Sequence, residues 1–237
     1  GLDDEFDTDY GYSGHVQFAL GVRNPRVADV STSNGFESDN DGSGTSATPL
    51  TSPVFSNVTL IGPYKTTADK NVNSMFGAGM HIRRNSSLSV FNSVFAGWNT
   101  GLLLDGTSTY ANATAGNLVI QNCVLSGCKV VAVNGAGNVT AAQAETFFNS
   151  GNNQTIADNA TAGITNSFYD ATKTGAAAAP TSFLPASGSP LLSGASFTHA
   201  KLADNFFDKT PTFKGAFGTT DWTKEPWTNF DPQNTVY

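Results

Sequence analysis

The sequence predicts an all-β chain folded as a right-handed parallel β-helix, a solenoid with one short helix and a C-terminal capping segment. Two observations carry this prediction. A short pattern recurs as Asn57-Val58-Thr59-Leu60-Ile61-Gly62, Asn92-Ser93-Val94-Phe95-Ala96-Gly97 and Asn122-Cys123-Val124-Leu125-Ser126-Gly127, offset by 35 and then 30 positions. That is the period at which one supersecondary unit stacks on the next. Around each copy, β-branched and aromatic residues alternate with small polar ones, as in Leu88-Ser89-Val90-Phe91 and Leu118-Val119-Ile120-Gln121, which marks short strands. In coils stacked about 4.8 Å apart, like residues meet like. Asn57, Asn92 and Asn122 are therefore expected to form a structural ladder, turned inward at a corner, each amide paired with the coils above and below.

The elements follow in chain order. Residues 13–22 read as one or two strands of an early coil. Residues 23–53 contain Asn34-Gly35, Asp41-Gly42 and Ser43-Gly44, turn formers that predict a long acidic surface loop. Coils are expected at 54–61, 82–104 and 118–133, joined by polar connections at 63–74 and 106–116. Residues 141–150, with Thr140 before them and Gly151 after, form the one convincing helix. A further strand is expected over 164–169. The tail from Pro185 is rich in Pro, Gly and aromatic residues without period, and is expected to close the open end of the stack, since a bare terminal coil exposes core and unpaired backbone. Coils thus occupy residues 1–180 and the cap residues 181–237. The chain starts at Gly1 and enters a patterned segment at once, so further coils upstream are expected.

Charged residues make up only 13% of the 237 residues and the net charge is −7. Nine of the 19 acids lie in the first 41 residues, where Arg23 and Arg26 are the only basic side chains. That balance argues against nucleic acid as a partner. No apolar run is long enough to span a bilayer as a helix. A small-residue, low-charge composition fits an extracellular or outer-membrane surface location.

Asp39-Asn40-Asp41-Gly42-Ser43-Gly44 places side-chain oxygens at alternate positions, the first half of a calcium loop. Asp39, Asp41 and Ser43 are the predicted ligands. Leu50 stands at the twelfth position, where the bidentate Glu of that loop belongs, so Glu37 or one of the early acids Asp3, Asp4, Asp7 and Asp9 would have to complete the set for Ca2+. Cys123 and Cys128 flank the Ser126-Gly127 bend, and either a disulfide across it or two buried free thiols fits the spacing.

The runs Asp7-Thr8-Asp9-Tyr10-Gly11-Tyr12-Ser13-Gly14, Asn34-Gly35-Phe36-Glu37-Ser38-Asp39-Asn40-Asp41, Pro53-Val54-Phe55-Ser56-Asn57-Val58-Thr59-Leu60 and Ile82-Arg83-Arg84 resemble the exported right-handed β-helix proteins of Bacteroidota. The resemblance extends to the terminal Gly215-Ala216-Phe217-Gly218, Asp221-Trp222-Thr223 and Trp227-Thr228-Asn229-Phe230-Asp231-Pro232. Members of that group are surface lipoproteins or type IX secretion-associated proteins, so the resemblance implies export and a surface site. It brings no catalytic residues.

The function expected from these readings is non-catalytic binding or scaffolding at the surface, through a glycan or an outer-membrane protein complex. The alternatives are a polysaccharide lyase or glycoside hydrolase, and an adhesin or fibre protein. A hydrolase needs two carboxylates across a groove, and the repeat region offers only Asp69 and Asp105, in separate connections. A lyase base would have to be Arg83 or Arg84, one of which is expected to face the core. His15, His81 and His199 lie far apart, and Trp98, Trp222 and Trp227 either stack on sugar or pack internally. An enzyme should gather two or three ionisable side chains in one concave patch, and a scaffold should not.

Overall fold

A computed structural model describes residues 1–229 except Ala171 and Thr174. The end of the quoted resemblance, Phe230-Asp231-Pro232, lies outside them. The chain winds as a parallel β-helix. The first coil holds β1 (Phe6–Thr8), β2 (His15–Gln17) and β3 (Leu20–Val22), and the second β4 (Phe36–Ser38), β5 (Val54–Ser56) and β6 (Thr59–Ile61). The third holds β7 (Ala78–Ile82), β8 (Ser89–Phe91) and β9 (Val94–Ala96). The fourth runs through β10 (Thr100–Asp105), helix α1 (Thr107–Thr114), β11 (Val119–Gln121) and β12 (Val124–Ser126). A partial fifth holds β13 (Val131–Ala136), α2 (Ala141–Ser150) and β14 (Gln154–Ile156). These strands form three parallel sheets, ordered β1-β4-β7-β10-β13, β11-β8-β5-β2 and β14-β12-β9-β6-β3.

Alternation sorts the side chains. Phe55, Val90 and Ile120 are register partners in the second sheet, and Leu60, Phe95 and Leu125 in the third. All six belong to one interior cluster with Phe36, Met80 and Leu102 of the first sheet, and with Trp98, which is wholly buried. Each large side chain removed from water in such a stack contributes about 1.5–3 kcal/mol. Helix α2 closes the last coil. Thr140 and Gln143 form a capping box at its start, and its Ala144 and Phe148 enter the core. The helix ends at the position a strand would otherwise fill, so the Asn122 N–H donates to Gly151 O at 2.9 Å.

Asn57, Asn92 and Asn122 do stack, but not as inward amides. All three are left-handed, with φ of 52°, 52° and 56°, a conformation asparagine tolerates. That backbone throws the side chain out of the bend, while the next residue in each coil, Val58, Ser93 or Cys123, is buried. Asn57 Nδ2 donates to Phe213 O at 3.0 Å, and Asn92 exchanges hydrogen bonds of 2.9 Å with the Ser196 backbone in both directions. At this corner amides pair between coils where Asn152 Nδ2 donates to Asn122 Oδ1 at 2.9 Å and Gln17 Nε2 donates to Asn57 Oδ1 at 3.3 Å.

Those bonds reveal the course of the C-terminal segment, which does not plug an end of the stack. It runs as a strap along the outer faces of the second and third sheets. Leu202 and Phe207 cover Val54 and Phe91, while Ala162, Ile164, Phe168 and Leu191 cover Ile61, Val94, Ala96 and Val124. The physical reason is the outward apolar residues of those two sheets, which need cover. Coils end at Ile156, well before residue 180.

Three other expectations change, and the alternative left open for the two cysteines is decided. The 23–53 segment is not wholly a loop: it contains β4, and Asn34 is buried with its Oδ1 accepting from the Ala78 N–H at 2.8 Å. Residues 107–114 form α1 despite a polar, uncapped sequence, with Gly106 at φ 89° before it. Residues 164–169 hold a 3-10 turn at Thr165–Ser167, and Ile164 and Phe168 pack across the face of the third sheet rather than joining it. Cys123 and Cys128 are free. Strand β12 separates them and holds their Cα atoms well beyond the roughly 6 Å that a disulfide spans, and burial pushes both thiols up to about 12.

Candidate functional site

With two sheets under the strap, the first sheet presents the solvent-facing flank, and its outward residues are polar. Register places Asp7, Glu37, His81, Leu103 and Asn134 in one column across the coils. One step along each strand from the inward Thr8, Ser38, Ile82 and Leu104 come Asp9, Asp39, Arg83 and Asp105. The two columns put five acids and Arg83, drawn from four coils, beside one another, although sequence separates the coils widely.

Arg83 is the hub. Its Nε donates to Asp39 Oδ1 at 2.8 Å and its Nη2 to Asp39 Oδ2 at 3.2 Å, a two-point clasp, and Nη2 also meets Glu37 Oε1. Arg84 Nη1 donates to Asp39 Oδ2 at 2.8 Å. Neither arginine faces the core. Strand β7 ends at Ile82, and Arg84 turns left-handed at φ 47°, which frees it from alternation. Beside this group His81 Nε2 lies 3.1 Å from Asp105 Oδ2, and Asn34 Nδ2 donates to Glu37 Oε2 at 3.3 Å.

Glu37, His81 and Arg83 line a cleft of about 220 Å³, together with Asn34, Asn99 and Thr100. Burial pushes the Glu37 carboxyl up to about 7; Arg83 pulls it down, and Asp4, Asp39 and Asp7 push the same way as burial. Burial likewise lifts Asp4 to about 6. Burial holds the His81 imidazole below its ordinary value, against the hydrogen bond it donates to Asp105. The cleft thus holds, near neutral pH, a carboxyl that can keep a proton and an imidazole that can take one. Such opposed shifts are what acid/base chemistry requires.

The predicted calcium ligands do not converge. Both oxygens of Asp39 are held by arginines, and Glu37 faces Arg83. Asp41 is turned back on its own loop, where Oδ1 accepts from the Ser43 N–H at 2.8 Å and the Thr45 N–H at 3.2 Å. Ser43 contributes its backbone to that turn rather than a ligand. Among the described residues no group of three or more His, Cys, Asp or Glu side chains is placed to hold a metal ion. These four residues do not fit Ca2+, because a cation would have to displace two guanidinium groups and open the Asp41 turn.

Sequence reasoning read Glu37 as a metal ligand, set His81 aside and left Asp105 isolated. Their association is set by register between coils, and no local motif encodes it. The alternation in His81-Ile82-Arg83, two polar residues around an apolar one, was the available sign that both face outward. Trp222 and Trp227 lie apart from this cleft, in the strap, and Trp98 donates Nε1–H to Leu60 O at 3.2 Å inside the core.

A family model described as a pectate-lyase like beta helix domain matches residues 1–172. No curated protein and no solved structure matches the chain significantly. No helix among the described residues is long and apolar enough to cross a membrane.

Proposed function

The chain belongs to the pectate-lyase-like β-helix family, and from that premise we propose that it is an exported carbohydrate-processing domain which binds a glycan across the open first sheet and cleaves it by acid/base chemistry. The observation that carries this reading is the gathering of Glu37, His81 and Arg83 in one cleft, where burial raises the Glu37 carboxyl to about 7 and holds the His81 imidazole below its ordinary value. A scaffold has no need to bury a carboxyl at a raised pKa. Export to the cell surface is supported by the low charge and by the likeness to surface β-helix proteins.

In the proposed reaction the protonated Glu37 donates to the glycosidic oxygen as the bond to the anomeric carbon breaks. Neutral His81, held by Asp105, accepts a proton from the water whose oxygen forms the new bond. Arg83 and Asn34 fix the Glu37 side chain in place. Asp4, Asp7, Asp9, Glu37, Asp39 and Asp105 outnumber Arg83 and Arg84 on this flank, so its field disfavours a polyuronate. Both arginines are engaged by carboxylates, which leaves neither free to neutralise a uronate for elimination. A neutral polysaccharide is the better match.

The test is release of reducing ends from a panel of neutral polysaccharides, with Glu37→Gln as control. The proposal expects release by the wild type and a loss of about a hundredfold or more in the variant. No release from any substrate, or release unchanged by the substitution, would overturn it. Polygalacturonate is run beside the panel, and unsaturated uronate products from it would point to elimination instead.

A further inference from the structure

At the corner where the second and third sheets meet, four coils place asparagine in the left-handed position: Asn57, Asn92, Asn122 and Asn152. The first coil places Phe18 there, at φ 58°. Its N–H donates to Ser56 O at 3.3 Å, as the Asn57 N–H donates to Phe91 O in the next coil, so the backbone role is the same. A bulky aromatic in this conformation is strained, and strain of this kind persists where function requires the side chain. Phe18 turns its ring toward Phe213 of the strap, with centroids 6.4 Å apart.

Between these two rings and the end of the strap lies a cavity of about 580 Å³, the size of a small-ligand site and far larger than the cleft on the first sheet. Its other wall is the open end of a stack of four rings. Phe183 lies on Phe217 at 5.5 Å, Phe217 on Trp222 at 4.9 Å and Trp222 on Trp227 at 5.6 Å, with interplanar angles of 20°, 16° and 11°. Phe183 and Phe217 are buried, while Trp227 is 69% exposed. Trp222 is locked in rotation by donating Nε1–H to Ala216 O at 3.0 Å. The exposed hydroxyl-bearing residues Thr219 and Thr220 line the same cavity.

We infer that this cavity is a second glycan site, separate from the cleft, in which a neutral pyranose ring lies on the Trp227 indole as the next layer of the aromatic stack. The flat C–H face of a pyranose matches an indole, the threonine hydroxyls match its equatorial rim, and among the described residues no charged side chain lines the cavity. Phe18 and Phe213 form the facing wall, which gives the strained conformation of Phe18 its purpose. The inference takes its ligand class from the function proposed above, but its geometry and its readout are independent of the cleft.

The chain has three tryptophans, and Trp98 is sealed in the core, where it gives a constant background, so a sugar-induced change in fluorescence reports the two at this cavity. Titration of the full chain carrying Glu37→Gln, which prevents turnover, with cellohexaose, xylohexaose and mannohexaose should give a saturable change with at least one. Trp227→Ala should weaken binding at least tenfold. Phe18→Asn, which restores the residue the other coils use, should also weaken binding at least tenfold while the melting temperature stays level or rises. No saturable change with any of the three sugars, or wild-type affinity in both variants, would overturn the inference. Binding here without reducing-end release by the wild type would sink the catalytic reading alone.

Discussion

Glu37 and His81 are direct register partners on neighbouring coils of the first sheet, so a carboxyl and an imidazole from opposite ends of a long excursion stand one strand spacing apart. Neither residue sits in a motif. The stacking of coils creates the pair, and burial tunes its members in the directions acid/base work needs.

That tuning has a signature in stability. A carboxyl raised on folding from 4.5 to about 7 keeps its proton in the folded state after the unfolded chain has lost it. Between those values the folded state binds more protons, so stability falls as pH rises. Asp4, raised from 3.8 to about 6, acts in the same direction. His81 acts oppositely: its pKa lies below 6.5 when folded, so it lowers stability as pH falls through that range. Glu37→Gln should remove a loss on the order of 1 kcal/mol across this window, after allowance for solvent screening of a half-buried group. Urea midpoints on either side of the window check this, and an unchanged slope in the variant would count against the raised carboxyl.

The strap makes a second prediction. Asn92 is wholly buried, left-handed, and exchanges two hydrogen bonds with the Ser196 backbone. Asn92→Ala should lose both and acquire backbone strain, for about 2–3 kcal/mol in all. Asn92→Gly relieves the strain but not the bonds, and should recover roughly 1 kcal/mol of that loss. Chemical denaturation of the three proteins separates the two contributions, and equal stability of the Ala and Gly forms would show that the left-handed backbone is not the cost.

Calcium provides a third. Asp39 is committed to Arg83 and Arg84, and Asp41 to its own loop. Saturating calcium should therefore leave the melting midpoint where a chelator leaves it, whereas a site of even modest affinity would raise it at high ion excess. A clear rise with calcium would mean that the loop rearranges around the ion.

The period of the asparagine motif made the solenoid legible, because identical corners recur wherever identical bends recur. Helix α2 was legible from Thr140 before it and Gly151 after it, because the signals that start and stop a helix are local. The candidate site was not. Glu37, Asp39, Arg83 and Asp105 meet through pairing between coils joined by connections of unequal length, and sequence periodicity does not fix the pairing of β4, hidden in a turn-rich segment. The strap was also out of reach, since its contacts to Asn57 and Asn92 are made by backbone groups of residues with no pattern of their own.

The most direct measurement is a pH titration of the Glu37 side-chain carboxyl by carbon-13 NMR, assigned with Glu37→Gln. The account predicts an apparent pKa near 7. A value at the ordinary 4.5 would contradict it and leave the cleft without its acid.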